Sequence, residues 1–271
     1  MTIDIQPYLT SIRADGEDNE LQHLYTPTDA LSRQLQPAKK SRFPFDLQLK
    51  VQTVPPPQRE GQTSDREQIE RFNVLDGLRK YAANHVLLVG RPGSGKSTAL
   101  QRLLWEEAQT PLEKLEKIPV LVELRQYKTS TLDLIYNFLK RHKLNIEKTA
   151  IEKLLDENRL LLLFDGVNEL PNETARQDLN TFRQNYRRTP MIFTTRDIEV
   201  GGDLGIEKKL EMQPLTQTQM QQFVRAYLPD TGEEMLRRLG EKLQSFAQTP
   251  LLLLMLCTVF AETGDIPANL G

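Results

Sequence analysis

The sequence predicts an α/β fold in which helices cover both faces of a mostly parallel, five-stranded sheet. Four short apolar runs alternate with helical patterns along the middle of the chain, at 85–89, 118–124, 160–164 and 190–194. Because these runs are almost entirely apolar, both faces of each strand have to be covered, which is typical of parallel, doubly wound sheets. A fifth strand is predicted at 209–212, and Pro214 ends it.

Helices are predicted where apolar residues recur at helical spacing. Between the strands they lie at 96–108, 132–142, 146–155 and 173–186. After Pro214 the pattern is helical throughout, with predicted helices at 216–227, 232–246 and 251–262. The last is the most apolar segment of the chain, but it is only about half as long as a membrane-spanning helix and is expected to be buried. A small helical subdomain is therefore expected after the sheet.

The first 64 residues mix short apolar pieces with turn-forming residues, and we interpret them as an N-terminal extension and a linker. Three prolines at 55–57 mark the linker. Before it, the alternation of apolar and polar residues at 45–51 predicts a short strand. After it, apolar residues at helical spacing predict a helix over 65–81 that leads into the sheet.

Composition and charge narrow the class of function. The formal net charge is −2, which gives no global electrostatic reason to expect nucleic acid or an anionic membrane as a partner. Cys257 is the only cysteine, so an intrachain disulfide cannot form and a zinc site is disfavoured. The N-terminus lacks the basic and then apolar order of a signal peptide, and a cytoplasmic location is expected. The C-terminal residues lack a helix cap or charged tail, which is expected of a fragment of a longer protein.

The segment GRPGSGKS, residues 90–97, follows the first apolar run and opens the predicted helix. Its glycines allow the backbone to curl with N–H groups facing inward, and the helix behind it adds the positive end of its dipole. In this pattern the lysine reaches the β- and γ-phosphates and the last hydroxyl binds Mg²⁺. We therefore predict a nucleoside triphosphate site. The expected binding residues are Gly90, Arg91, Pro92, Gly93, Ser94, Gly95, Lys96, Ser97 and Thr98.

An acid that organises the metal is expected at the end of a neighbouring parallel strand. The run at 160–164 ends in Asp165, which is the predicted Mg²⁺ ligand together with Ser97. Glu169 could orient or deprotonate the attacking water, and a solvated loop glutamate is the alternative. Arg196, after the run at 190–194, could contact the γ-phosphate, and a surface position beside Asp197 is its alternative. The expected catalytic set is Lys96, Asp165, Glu169 and Arg196.

Taken in order, these motifs resemble the NACHT family of signal-transduction NTPases, a branch of the STAND class related to AAA+ ATPases. The matching segments are the phosphate loop at 85–98, a second strand at 118–125, the acidic motif at 162–169 with Gly166 as its small residue, a sensor strand at 193–196 and the junction into the helical domain at 210–227. Residues 248–252, QTPLL, resemble the helical domain's proline motif, which in the family contacts the adenine side of the nucleotide. Pro250 is therefore an expected binding residue as well as a helix N1 proline.

The resemblance covers about residues 65–271 and implies an AAA+-like P-loop NTPase fold that binds ATP or ADP with Mg²⁺. It divides the chain into an extension at 1–64, a nucleotide-binding domain at 65–214 and a helical subdomain at 215–271 that ends before a winged-helix domain. The first 64 residues, including 24–29, resemble segments that precede NACHT modules in bacterial multidomain proteins. Asn168 departs from the family, because many members carry a second acid there, and this weakens the expectation of efficient hydrolysis.

The leading hypothesis is a nucleotide-gated switch that oligomerises with itself when ATP replaces ADP, within a longer multidomain chain. A rival is an AAA+ remodelling motor, for which Arg187, Arg188 or Arg225 could serve as an arginine finger. A kinase is a third hypothesis, although no arginine-rich lid follows the sheet, and a binding module without hydrolysis is a fourth. The chain lacks the Asn-Lys-x-Asp base-reading motif of many GTPases, which favours adenine.

Overall fold

The computed structural model describes residues 3–20, 48–54, 69–196, 204–239 and 249–266, with side chains omitted at 16–20. Several predicted features lie wholly or partly outside these residues: the linker at 55–57, the first three residues of the strand predicted at 45–51, the segment at 24–29, Asp197, residues 240–246 of the helix predicted at 232–246, and Gln248. The strands are β1 Lys50–Val54, β2 Arg71–Asn73, β3 Val86–Val89, β4 Ile118–Glu123, β5 Leu160–Asp165, β6 Met191–Thr195 and β7 Lys208–Met212. The helices are α1 Gln6–Glu20, α2 Val74–Tyr81, α3 Lys96–Ala108, α4 Thr131–Arg141, α5 Lys148–Asp156, α6 Glu173–Asn185, α7 Gln217–Tyr227, α8 Gly232–Leu239 and α9 Pro250–Thr263.

The sheet has the strand order β2-β1-β7-β3-β6-β5-β4. The five strands expected in the parallel sheet, β3 to β7, are all parallel to their neighbours within it. Strands β1 and β2 add an antiparallel edge beyond β7 and widen the sheet to seven strands. Every residue of β3 and β6 is buried, as the continuous apolar runs predict for a sheet covered on both faces. The mostly parallel α/β sheet is confirmed.

The helix predicted over 65–81 is wrong in its first part. Residues Arg71–Asn73 form β2, and α2 begins only at Val74. Phe72 pairs with Val51 of β1, and the backbone N–H of Val74 donates to the Leu49 carbonyl at 2.9 Å. The local apolar spacing suits a helix, but pairing with β1 satisfies the same backbone groups across the sheet, and this tertiary pairing decides the outcome.

Helix α1 lies within the segment interpreted from sequence as an extension, and it packs on the sheet region. Tyr8, Leu9 and Ile12 are buried in the larger hydrophobic core. The Tyr8 hydroxyl donates to the Pro119 carbonyl of β4, and Arg13 Nε donates to the Ala108 carbonyl at 2.7 Å, at the end of α3. The N-terminal helix is therefore an integral part of the core.

The described residues form two hydrophobic clusters. The larger surrounds the sheet, and the smaller joins α7, α8 and α9, with Phe223, Met235 and Leu253 among its buried members. Burial of Cys257 in the smaller cluster raises the pKa of its thiol to about 12. Helix α9, which was expected to be buried, has one face buried in this cluster, while Leu252, Met255 and Val259 on its other face are exposed. No helix in the described ranges is long and apolar enough to cross a membrane.

Candidate phosphate-binding site

The loop between β3 and α3 has the geometry that its glycines predict. Gly93 and Gly95 have φ angles of 73° and 95°, in the left-handed region that side chains with a Cβ avoid. At Gly90 the reason is steric, because a Cβ there would lie 2.8 Å from Met212 Cβ and 2.8 Å from Ser94 Oγ. The loop therefore curls tightly against the end of β7 before α3 begins at Lys96.

Lys96 points back into this loop. Its Nζ donates to the carbonyls of Gly90 at 2.6 Å and Arg91 at 3.1 Å, and its side chain is buried. Burial lowers its pKa to about 8, while the charge of Asp165 opposes that shift and the charge of Arg196 adds to it. The site thus holds an ammonium group that lacks an anionic partner at hydrogen-bond distance among the described residues.

The rest of the loop fits a phosphate-bearing ligand. Ser94 Oγ is buried and has no hydrogen-bond partner in the described part of the chain. An unsatisfied buried hydroxyl costs about 1–3 kcal/mol, so an acceptor oxygen brought by a ligand would remove that cost. Ser97, at the start of α3, is exposed and Thr98 is half-buried. The loop, the buried Lys96 and the N-terminus of α3 together have the arrangement expected of an anion site.

Asp165 stands at the carboxyl end of β5, as predicted, but β5 is not next to β3. Strand β6 lies between them. Thr194 of β6 binds the carboxyl end of β5. Its Oγ1 donates to Asp165 Oδ1 at 2.6 Å and accepts from the backbone N–H of Gly166 at 2.8 Å. The sequence placed Thr194 in the predicted sensor strand but did not indicate this contact, because the contact depends on β6 lying beside β5.

No group of three or more His, Cys, Asp or Glu side chains within the described ranges could hold a metal ion. A divalent cation at this site would therefore need ligands beyond carboxylates. This pattern suits Mg²⁺, which is usually held by one or two protein oxygens together with substrate phosphates and water. Asp165 and the Ser97 hydroxyl are the protein oxygens that would hold it.

Glu169 and Arg196 are bound to each other. Arg196 Nη2 donates to Glu169 Oε1 at 2.9 Å, and the backbone N–H of Arg196 donates to Asn168 Oδ1 at 3.1 Å. Gly166 leaves room for this arrangement, because a Cβ there would lie 3.0 Å from Glu169 Oε2. The predicted base and the predicted sensor therefore come together at one edge of the sheet, and Asn168 fixes the end of β6.

The predicted proline motif contacts the loop itself. Pro250 is buried at the first turn of α9, and the backbone N–H of Leu251 donates to the Gly93 carbonyl at 3.3 Å. Thr249, within the same motif, is the N-cap of α9, and its hydroxyl accepts from the N–H of Leu252 at 3.4 Å. The smaller cluster is thus joined to the phosphate loop by a backbone hydrogen bond.

Two of the three candidate finger arginines lie away from this edge. Arg187 and Arg188 follow α6 and precede β6, which places them at the opposite, amino end of the parallel strands. Arg225 Nε pairs with Glu233 Oε1 at 2.6 Å, between α7 and α8. Arg125 is nearer to the site, since its charge interacts with those of Glu169 and Asp165.

The lowered pKa of Lys96 predicts that nucleotide binding depends on pH. Below about pH 8 the free protein carries Lys96 as an ammonium, and above it the ammonium loses its proton. A bound phosphate favours the charged form, so binding at pH 9 should take up a proton and binding at pH 7 should not. Calorimetric titration of ADP with EDTA present, in two buffers of different ionisation enthalpy, measures this uptake. Equal proton uptake at both pH values would contradict the prediction.

Comparison with known proteins gives three findings. A family model described as NACHT domain matches residues 84–231, which is more than half of the chain. An uncharacterized WD repeat-containing protein of Nostoc sp. (strain PCC 7120 / SAG 25.82 / UTEX 2576) is 22% identical over 196 residues, covering 65% of this chain and 11% of that protein, so the chain spans about a tenth of the relative's length. The crystal structure of domain III from the Thermotoga maritima replication initiation protein DnaA matches with a TM-score of 0.42 and 16% identity, over 71% of this chain and 85% of that one.

Proposed function

We propose that this chain, which belongs to the NACHT domain family, is a nucleotide-gated switch that binds ATP and ADP with Mg²⁺ and hydrolyses ATP slowly. The family and the P-loop fold make it a nucleotide-binding NTPase module. The switch, the slow hydrolysis and the Mg²⁺ dependence are the proposed parts. Self-association in the ATP state, a place in a longer multidomain protein and a cytoplasmic location belong to the same proposal.

The observation that carries the proposal is the Glu169–Arg196 ion pair. The side chains are 35% and 55% exposed, and ion pairs of this kind are worth at most about 1 kcal/mol. Arg196 can therefore exchange its carboxylate partner for the terminal oxygens of a triphosphate at little cost. Glu169 is then free to accept a proton from water. A base that is occupied until Arg196 finds a γ-phosphate suits a slow, triphosphate-dependent ATPase.

The same loop connects the nucleotide site to the helical part. Lys96 and the orphaned Ser94 hydroxyl would hold phosphates, while the Gly93 carbonyl accepts from Leu251 at the start of α9. A change in the loop therefore acts on a helix whose outer face is apolar and exposed. We propose the boundary between the domains at 214 and 215, since β7 ends at Met212 and the smaller cluster begins at Leu215.

The candidate without hydrolysis rests on Asn168. Its side-chain oxygen is already used by the backbone N–H of Arg196, so it helps to position the loop and supplies no second acid. A module that only binds nucleotide would keep every contact of the phosphate loop. The two candidates differ in whether Glu169 has a chemical role.

Substituting Glu169→Gln separates the two candidates. We expect the variant to keep wild-type ADP affinity and to lose about 10²–10⁴-fold in ATP turnover, the usual contribution of a general base. Wild-type protein should release ADP when purified and denatured. Unchanged turnover in the variant would remove Glu169 from its role, and fast turnover with freely exchanging nucleotide in the wild type would contradict the switch.

A further inference from the structure

Thr194 has a buried hydroxyl that joins strands β5 and β6 beside Asp165. It is 1% exposed and contacts the Asp165 carboxylate and the Gly166 backbone at the same time. The β5–β6 ladder has its last residue pair at Phe164 and Phe193, so Thr194 lies one residue beyond it. On its other side Thr194 is still in register with Leu88 of β3. The hydroxyl therefore continues the connection between the strands where the β5–β6 pairing stops.

The direction of the two hydrogen bonds follows from the groups involved. The Gly166 N–H can only donate, so Thr194 Oγ1 accepts from it. The single hydroxyl proton of Thr194 is then directed to Asp165 Oδ1, and the 2.6 Å separation is typical of a hydroxyl bound to a carboxylate. Within the described part of the chain, no donor contacts Asp165 Oδ2. The hydrogen bond thus fixes Asp165 Oδ1, while Oδ2 is left to accept from or bind a ligand.

We propose that Thr194 is a positioning residue that orients the Asp165 carboxylate for a divalent cation, an inference that rests on the proposed function. Asp165 has no other hydrogen bond in the described ranges that could fix its rotation. Without the Thr194 hydroxyl the carboxylate would have to be ordered when the cation binds, and the Gly166 N–H would lose its partner. Side chains that orient a metal ligand in this way contribute about 10–100-fold to metal affinity.

The test compares Thr194→Val with Thr194→Ser and with a matched control, Thr189→Val. Valine keeps the shape and removes the hydroxyl, and serine restores it. Thr189 is equally buried and donates to the Leu155 carbonyl at 3.0 Å, away from the acids, so its variant loses a buried hydrogen bond without touching Asp165. ADP binding is titrated against Mg²⁺ for each protein and repeated in EDTA, and thermal unfolding verifies the fold.

We expect Thr194→Val to raise the half-saturating Mg²⁺ concentration about tenfold or more, with unchanged ADP affinity in EDTA. Thr194→Ser should return it to within about threefold of the wild type, and Thr189→Val should leave it unchanged. If Thr194→Val does not fold, Thr194→Cys, whose thiol is a weaker donor, should show an intermediate shift. A wild-type Mg²⁺ response in Thr194→Val or Thr194→Cys would overturn the inference about Thr194 and leave the proposed metal site standing. An equal shift of the half-saturating Mg²⁺ concentration in Thr189→Val would do the same. A wild type whose ADP affinity ignores Mg²⁺ would overturn the proposed metal site and, with it, the inference.

Discussion

Lys96→Ala should abolish tight nucleotide binding and leave the protein folded. The buried ammonium is the group placed to neutralise phosphate within the loop, and truncating one partner of a buried charge pair costs about 2–5 kcal/mol. That loss corresponds to a decrease in ADP affinity of about thirtyfold to several thousandfold. Calorimetry or displacement of a fluorescent ADP analogue measures the affinity, and the control is Lys114→Ala, which removes an exposed charge from another surface.

The stability of the same variant is expected to be maintained. Burial lowers the pKa of Lys96 to about 8, which means that the folded protein disfavours the charged form relative to the unfolded chain. Below pH 8 the charged Lys96 therefore lowers the free energy of unfolding, and substitution by alanine removes this destabilising effect. Sites kept for binding commonly reduce stability in this way. A large fall in the free energy of unfolding of Lys96→Ala, or wild-type ADP affinity, would contradict this account of the loop.

The parallel sheet could be predicted from the sequence because its signals are local. Each buried strand is a continuous apolar run, and the phosphate loop is a contiguous motif whose glycines are needed within the motif itself. Helix α1 also had a local signal, since Ile5, Tyr8, Leu9 and Ile12 follow helical spacing and are buried. The turn-forming residues that surround this short segment obscured it.

What the sequence did not reveal depends on contacts between distant segments. Strand β2 forms because β1 lies beside it, and no local pattern indicates that pairing. The insertion of β6 between β3 and β5 is a property of topology, so the contact of Thr194 with Asp165 could not be derived from spacing. The pairing of Glu169 with Arg196 likewise joins residues that are 27 positions apart. The sequence could thus indicate each candidate residue individually, but it could not indicate which of them contact one another.

Gly93→Ala is the second change with a large expected effect, because both the backbone angle at Gly93 and its close contact with Leu251 require a residue without a Cβ. Its φ of 73° disfavours any residue with a Cβ by about 1–2 kcal/mol. An added Cβ would also lie 2.7 Å from Leu251 Cβ, so either the phosphate loop or the start of α9 has to move. We expect ADP affinity to fall at least about tenfold and hydrogen exchange in α9 to rise, because the Leu251–Gly93 hydrogen bond is displaced.

Gly264→Ala is the matched control for the cost of placing alanine at a positive φ. Gly264 has a similar φ of 67° at the end of α9, but an added Cβ would meet nothing within 4 Å. It should therefore lower the free energy of unfolding by about 1–2 kcal/mol without changing ADP affinity. In the double variant Gly93→Ala with Leu251→Gly, the clashing Cβ of Leu251 is gone, and part of the lost affinity should return. If Gly93→Ala binds ADP like the wild type, the loop and α9 are not coupled through this contact, and the route proposed from nucleotide to helical subdomain is wrong.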